Sequence, residues 1–184
     1  VLSADEQTLI FTSARPGTTG GEIDETDGRY FEDIYISNKT DSGWTVPKNI
    51  GRGVNTNGHD ASISLSPDGQ KLLIYRYDYD LLNSGIPGDL YVSRLKGDEW
   101  TQATKLPENI NTKSWEPSAC FSADEKILFF SSNKDGGSGG TDLYMVRQLP
   151  NGEWALPMNL GNKINTPFDE DSPFIHPDGK TLYF

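Results

Sequence analysis

Acidic side chains at one repeated position are the residues of this chain best placed to do chemistry. Asp60, Glu116 and Glu170 each lie eight residues before the aspartate of a tight turn. Carboxylates on one surface could bind a hard cation such as Ca²⁺ or attract a basic partner. The alternative is that each carboxylate accepts hydrogen bonds from amides of its own loop. Because the densest acidic cluster, Asp169–Asp171, is typical of a solvated turn, we expect no cofactor and keep Ca²⁺ as the weaker alternative.

The residue before each acid differs from one repeat to the next, being His59, Trp115 or Asp169. A position that varies among regular repeats is a candidate for specificity. Trp115 could stack on a sugar or on a partner's side chain, and the alternative is that it folds onto its own loop. With nearby aromatic and charged residues added, the expected partner-binding set is His59, Asp60, Trp115, Glu116, Glu170, Arg76, Tyr77, Tyr79, Arg29 and Tyr30.

Catalysis has little support in the sequence. The only two histidines, His59 and His176, are accompanied by no Gly-x-Ser-x-Gly nucleophile motif and by no acidic spacing suited to zinc. A glycosidase built on paired carboxylates stays an alternative that nothing selects. We therefore expect no catalytic residue, no metal ligand and no enzymatic activity.

The elements that must position these residues repeat along the chain. Four similar turns carry Asp5, Asp68, Asp124 and Asp178, which lie 63, 56 and 54 residues apart. Each turn is followed by a run of aromatic and branched residues, the composition of a β-strand. A period in the fifties built from short strands is typical of propeller blades.

The third repeat defines one blade most clearly. Its strands A, B and C are predicted at 117–121, 126–132 and 142–147, and an outer strand D ends near Leu160. The expected fold is all-β, a β-propeller of four-stranded antiparallel blades, here three to four blades of a larger ring. Closure by a second copy is the weaker alternative. The propeller segment 1–184 would contain blade repeats at about 2–58, 59–114 and 115–168, and a partial repeat at 169–184.

Loop lengths indicate which face is functional. The separation from the turn aspartate to an aspartate that opens strand C (Asp33, Asp89 or Asp142) is 28, 21 or 18 residues, whereas from there to the next turn it is 35, 35 or 36. The variation therefore lies in the B–C loops, which leave a blade on the same face as the D-to-A crossings. Because variable loops on a constant scaffold usually carry binding residues, we expect the partner on this face.

Other recurring residues are expected to be structural. The turn aspartates should accept hydrogen bonds within their own turns, and the strand-C aspartates should accept them from loop amides. Trp44, Trp100 and Trp154, spaced 56 and 54 residues apart, should pack between neighbouring blades.

Charge and composition disfavour several kinds of partner. The formal net charge of −11 argues against binding nucleic-acid phosphates or anionic lipid. The single cysteine, Cys120, allows no internal disulfide and is expected to be buried. No apolar run approaches the roughly 18 residues of a membrane span. We expect neither a nucleic-acid partner nor a membrane span in this segment.

The repeats resemble the TolB-type Pro-Asp repeat, a WD40-like β-propeller family. The best match runs over 170–184, and the stretches 142–144 and 152–161 support it. The chain departs from the family's turn by alanine for proline and by glutamate for glycine, at Ala4, Ala123, Glu6 and Glu125.

The resemblance implies a gram-negative cell-envelope protein, periplasmic or associated with the outer membrane. In such proteins the propeller often accompanies helical repeats and an OmpA-like peptidoglycan-binding domain. A fold does not determine an activity. We expect a non-catalytic interaction platform for an envelope protein, peptidoglycan-linked or not, or for a glycan. The alternative is a propeller domain of an enzyme, either the gating domain of a serine peptidase or a glycan-active propeller.

Overall fold

A computed structural model describes residues 1–21, 23–25, 28–77 and 87–184. Those residues form fifteen short β-strands. In this described part no helix is long and apolar enough to cross a bilayer. The fold is therefore all-β, as the sequence predicts.

The strands form four consecutive antiparallel sheets, which we call blades 1 to 4. Blade 1 contains β1 (Thr8–Ala14), β2 (Glu32–Thr40), β3 (Gly43–Trp44) and β4 (Lys48–Asn49). Blade 2 contains β5 (His59–Leu65), β6 (Lys71–Tyr77), β7 (Asp89–Lys96), β8 (Glu99–Trp100) and β9 (Thr104–Lys105). Blade 3 contains β10 (Ala119–Phe121), β11 (Ile127–Ser132), β12 (Asp142–Arg147) and β13 (Met158–Asn159). Blade 4 contains β14 (Phe174–Ile175) and β15 (Leu182–Tyr183).

Strands within a blade pair in chain order, as in a meander, except that β4 pairs with β2 and β9 with β7. In blade 3 the order is β10-β11-β12-β13, and strand C coincides with its predicted range, 142–147. Strands A and B are slightly shorter than predicted. The outer strand D is reduced to two-residue segments.

The blades fan around a shared axis. β5 of blade 2 contacts β1 of blade 1 and β10 of blade 3, and β10 contacts β14 of blade 4. A cavity of about 740 Å³ is lined by the entering segment of every blade, including Val1, Ala61, Ala119 and Phe174. Sheets stacked in a line would not share such a cavity. The chain therefore forms part of a β-propeller.

The hydrophobic core lies between blades. One cluster joins Ile10 and Ile34 of blade 1 to Leu72 and Ile74 of blade 2. A second joins blade 2 to blade 3, with Phe130 fully buried. Each cluster forms because the two faces of a blade carry alternating apolar residues.

The recurring tryptophans only partly follow the prediction. Trp100 packs against the core between blades 1 and 2, and Trp154 against the core between blades 2 and 3. Trp44 is 45% exposed and packs against neither of these two cores. Inter-blade packing is thus confirmed for two tryptophans and wrong for Trp44.

The turn aspartates have the predicted structural role. The carboxylates of Asp5, Asp68, Asp124 and Asp178 each accept a hydrogen bond from the N–H two residues later, at 3.0, 2.9, 3.1 and 2.8 Å. Glu6 and Glu125 adopt φ values of 58° and 57°, the left-handed region that glycine occupies in the other two turns. The two glutamates therefore adopt the same turn as glycine, but in a backbone conformation that is strained for a residue with a side chain.

Candidate functional site

The three repeated acids are buried, and each is bonded to the crossing that precedes it. Asp60, Glu116 and Glu170 are 0%, 1% and 6% exposed. The N–H of a threonine four residues earlier donates to each carboxylate, at 2.6, 3.1 and 2.9 Å. The same threonine's hydroxyl donates to the carboxylate as well. The capping alternative is therefore the observed one, and an exposed acidic ring of partner-binding residues is wrong.

Burial sets the protonation behaviour of two of these acids. Burial raises the pKa of Asp60, and hydrogen bonds from Arg76 and Thr56 only partly oppose it. Burial likewise raises the pKa of Glu116 against hydrogen bonds from Ser132 and Thr112. These carboxylates are thus buried acceptors that hold their own loops.

Arg76, also expected to bind a partner, is used inside blade 2. Its Nε donates to Asp60 Oδ1 at 2.7 Å, and an Nη donates to the carbonyl of Val54 at 2.6 Å. Its guanidinium lies 4.4 Å from the centroid of the Tyr91 ring. With its side chain only 13% exposed, Arg76 is tied into its own blade, and its contact with a partner stays a prediction.

Each asparagine of the recurring Asn-Thr pairs ties its crossing to strand C. Asn55, Asn111 and Asn165 are buried, and in each blade the amide oxygen accepts a backbone N–H of strand C at 2.8–2.9 Å. The amide nitrogen donates to the carbonyl of the same strand residue at 2.9–3.0 Å. The recurrence of Asn-Thr was the available signal, but it did not reveal this two-bond pairing.

The strand-C aspartates hold the B–C loops in blades 1 and 3, as predicted. Asp33 accepts the N–H of Thr19 at 2.6 Å, and Asp142 accepts the N–H of Ser138 at 2.6 Å. The second oxygen of both carboxylates is buried without a partner among the described residues. Asp89 of blade 2 instead pairs with Lys105.

The tyrosine of strand C is covered by a cation in every complete blade. The cation–centroid distances are 4.5 Å for Arg15 on Tyr35, 4.4 Å for Arg76 on Tyr91 and 3.7 Å for Lys134 on Tyr144. Burial of its ammonium lowers the pKa of Lys134. The positive charges of Arg15, Arg76 and Lys134 are therefore engaged in cation–π contacts within their own blades.

A position within strand B that the sequence did not reveal bonds each blade to the next. The residue seven places after the turn aspartate makes this bond in all three cases. The pairs are Thr12 with Ser62, Tyr75 with Trp115 and Ser131 with Asp171, at 2.9, 3.1 and 2.7 Å. Because its residue type changes between blades, this position gives no motif to recognise.

The varying residue before each acid has a shared role, which is contact with the preceding blade. His59 Nε2 lies 3.3 Å from Asp24 of the first B–C loop. Trp115 Nε1 donates to Tyr75 OH, and Asp169 accepts the N–H of Thr141 at 2.8 Å. The variation therefore matches each blade entrance to a different preceding loop.

His59 lies between two carboxylates on this face. Its Nδ1 lies 3.6 Å from Glu32 Oε2, and its ring meets Phe31 edge-on at a centroid distance of 4.9 Å. The hydrogen bond with Glu32 raises the pKa of His59 despite the opposing effect of burial, and that with Asp24 adds to it. The hydrogen bond from His59 lowers the pKa of Glu32. The site thus joins one imidazole to two carboxylates.

The described B–C loops of blades 1 and 3 each meet the crossing that follows their blade. The α-hydrogen of Gly20 points at the backbone of Asn57, where a Cβ would lie 2.8 Å from the carbonyl oxygen. Gly140 N donates to the carbonyl of Phe168 at 3.0 Å. We call this surface the B–C face.

Several accessible residues of the B–C face are aromatic. A cleft of about 230 Å³ between blades 1 and 2 is lined by Glu32, His59, Ala61, Tyr75 and Tyr77. Trp115, which opens blade 3, is 45% exposed. Its indole N–H donates a hydrogen bond to the hydroxyl of Tyr75, so Trp115 lies beside the cleft.

Sequence reasoning missed one exposed aromatic residue on this face. Phe168, in the crossing that enters blade 4, is 78% exposed. The corresponding residues of the earlier repeats are Gly58 and Ser114, so a bulky residue at a small-residue position was the available signal.

The remaining predicted residues lie at the edge of this surface or outside the described residues. Arg29 and Tyr30 belong to a turn of the first B–C loop, closed by a hydrogen bond from Asp24 N to the Arg29 carbonyl at 2.7 Å. Tyr79 lies outside the described residues. The structure therefore brings together His59, Tyr77 and Trp115 as accessible candidates.

The described residues include no cluster of potential metal ligands, and the thiol of Cys120 is buried. Across 1–21, 23–25, 28–77 and 87–184, no three His, Cys, Asp or Glu side chains converge as a metal site would require. Cys120 is buried, as predicted, and burial raises the pKa of its thiol to about 11.

Comparison with known proteins shows the fold alone. No protein-family model matches the chain, and no curated protein does. The chain is similar to a protein of Agrobacterium tumefaciens described as TolB, with a TM-score of 0.63, 14% identity, and coverage of 98% of this chain and 50% of that one. It is also similar to the hydrazine synthase of Kuenenia stuttgartiensis, with a TM-score of 0.52, 14% identity and coverage of 99% and 47%.

A third similar structure is the periplasmic gluconolactonase PpgL of Pseudomonas aeruginosa, with a TM-score of 0.46, 16% identity and coverage of 82% and 39%. The chain spans about half the length, or less, of these structures. The observed blades and the similarity to the Agrobacterium tumefaciens structure define the chain as part of a β-propeller.

Proposed function

We propose that this propeller segment is a non-catalytic interaction platform of a cell-envelope protein of the TolB-type Pro-Asp repeat family, and that its partner binds the B–C face. The observation that carries the proposal is a difference in exposure between the polar and the aromatic residues of this face. The repeated polar residues are buried in bonds within the chain, whereas Trp115 and Phe168 remain exposed. Exposed aromatic residues on a rigid scaffold are typical anchors of protein interfaces.

The buried bonding also argues for a rigid scaffold rather than a reactive site. Glu116 accepts hydrogen bonds from Thr112 and Ser132, and Asp60 from Thr56 and Arg76. A general acid or base must reach its substrate. These carboxylates are enclosed by their own loops, which favours binding over catalysis.

The envelope location rests on two supports. The sequence resembles Pro-Asp repeats of envelope proteins, and the fold is similar to that of the protein described as TolB. A partner in the periplasm or at the outer membrane, either a protein or a peptidoglycan-linked glycan, follows from this proposal.

Two tryptophans of equal exposure allow a matched test. Trp115 on the B–C face and Trp44 beside the C–D turn of blade 1 are each 45% exposed. The wild-type chain, Trp115→Ala and Trp44→Ala would be immobilised and presented with solubilised gram-negative envelope proteins and, separately, with envelope polysaccharides. We expect retention by the wild type and by Trp44→Ala, and loss by Trp115→Ala.

The competing surface is the outer rim, where Val46 and Leu156 are 84% and 82% exposed. Leu156→Ser serves as the rim variant. Retention lost in Leu156→Ser or Trp44→Ala but kept in Trp115→Ala would refute the proposed face.

A further inference from the structure

We propose that the cleft between blades 1 and 2 binds a cationic side chain, arginine or lysine, presented by a basic segment of the partner protein. The inference rests on the proposed function and specifies the chemistry of one part of its working face. The cleft is formed where the start of β2, the start of β5 and the end of β6 meet, and Glu32, Tyr75 and Tyr77 supply its recognising groups.

The size of the cleft selects a single side chain. Its volume of about 230 Å³ is below the roughly 300–1,000 Å³ of ordinary small-molecule pockets. An oligosaccharide or a cofactor would not be enclosed by it. One extended side chain reaching in from a partner's backbone would be.

The charge of the cleft selects a cation. The side chain of Glu32 is 50% exposed, and its lowered pKa keeps it ionised, chiefly through the hydrogen bond from His59 and in small part through the charge of Arg29. The charged or titratable groups around His59 are Glu32, Asp24 and, edge-on to its ring, Tyr77. Among the residues that the structure describes, no lysine or arginine lines the cleft, and its one basic group, His59, is already paired with Glu32. The net charge of −11 would further attract a basic segment.

The aromatic rings of the cleft are available in a way that others in the chain are not. Each strand-C tyrosine is covered by a lysine or arginine of the chain itself. Within the described residues, no such cation lies over Tyr75 or Tyr77. A cation over an aromatic face beside a carboxylate gains from both groups.

The Tyr75 ring is held in place before any ligand arrives. Its hydroxyl accepts hydrogen bonds from Gly88 N at 3.0 Å and from Trp115 Nε1 at 3.1 Å. Fixing the ring lowers the entropy lost on binding. The exposed Trp115 therefore has two roles, as a contact for the partner and as a brace for the cleft.

The test uses an arginine probe and its uncharged analogue. N-acetyl-arginine methylamide and N-acetyl-citrulline methylamide have nearly the same shape and differ in charge. They would be titrated into the ¹⁵N-labelled chain at about pH 8. We expect the arginine probe to shift the amide signals of Glu32, Ala61 and Tyr77 saturably, and the citrulline probe to bind at least about tenfold more weakly.

Two variants locate the binding site. Glu32→Gln should weaken the arginine probe by about tenfold, and Tyr77→Leu by about fivefold. The matched controls are Glu99→Gln at the C–D turn of blade 2 and Tyr183→Leu in blade 4, whose side chain is 54% exposed. Both controls should bind the probe as the wild type does.

The cleft is refuted if the two probes bind equally or not at all, or if Glu32→Gln binds the arginine probe like the wild type. A different result would refute the proposed partner-binding function: equal capture of an envelope partner by the wild type and by Trp115→Ala. If capture of an envelope partner depends on Trp115 but is unchanged in Glu32→Gln, partner binding by the B–C face is supported and cation binding by the cleft is refuted.

Discussion

Lys105 Nζ lies 2.7 Å from Asp89 Oδ2, at the sheet position where the other complete blades have an asparagine. Lys105 stands opposite Tyr91 just as Asn49 stands opposite Tyr35 and Asn159 opposite Tyr144. Blade 2 thus holds its strand-C aspartate by an ion pair, whereas its neighbours hold theirs by a neutral amide.

This difference predicts unequal costs for equivalent substitutions. Asn159 donates to the buried Asp142 and accepts the N–H of Gly161 and an Asn165 donor, so Asn159→Ala should cost about 2–3 kcal/mol of unfolding free energy. Lys105→Ala should cost about 1 kcal/mol or less, because its side chain is 49% exposed. Urea unfolding measures both. A larger loss for Lys105→Ala would contradict the assigned roles.

The two glutamates in left-handed turn positions should respond differently to glycine. Glu6 is exposed, so Glu6→Gly should stabilise the fold by about 0.5–1 kcal/mol through relief of the strained φ. Glu125 pairs with Lys71 of the neighbouring blade, both side chains being largely buried. Glu125→Gly loses that pair and should give no net gain. Equal stabilisation by both substitutions would show that the Lys71 contact is without effect.

The His59 site predicts a pH-dependent stability. The pKa of His59 is raised above its ordinary 6.5, so its contribution is fully present below that pH and is lost as pH rises through the folded-state value. The pKa of Glu32 is lowered from 4.5, so its contribution is present above that pH and is lost as pH falls through the folded-state value. The pair should therefore stabilise the fold most between about pH 4.5 and 6.5.

His59→Gln tests this window. The difference in unfolding free energy between wild type and variant should be larger at about pH 5.5 than at about pH 8. Denaturant unfolding at the two pH values measures it. A difference that grows toward pH 8 would contradict the observed pairing.

Cys120 should be nearly inert toward thiol reagents. It is 4% exposed, and burial raises its thiol pKa to about 11. At about pH 8 roughly one thiol in a thousand is ionised, and that fraction is shielded. Alkylation should proceed at least about a hundredfold slower than in the urea-unfolded chain. Comparable rates in the two states would mean that the inner strand of blade 3 opens readily.

The sequence predicts the blades well because their signals are local. An aspartate in a tight turn followed by a branched and aromatic run fixes strands A and B without knowledge of distant residues. Strand C at 142–147 follows from the same alternation. The split outer strand was less predictable, since the two-residue segments at Met158–Asn159 and its equivalents carry no periodic pattern.

The site was less predictable because exposure is a property of tertiary packing. The position of Asp60 at a blade entrance is evident from spacing, but its burial depends on how the crossing folds back over it. The same limit applies to Phe168, which is 78% exposed in a crossing whose backbone lies close to Gly139. Residue type and spacing locate a face, but they do not decide which of its side chains remain accessible.

The central claim is that the partner binds the B–C face. Hydroxyl-radical footprinting of the chain, free and loaded with its envelope partner, tests this claim most directly because it reports on exposed aromatic side chains. We predict protection of Trp115 and Phe168 on binding, with Trp44 unchanged. Protection of Trp44 and unchanged labelling of Trp115 and Phe168 would contradict it.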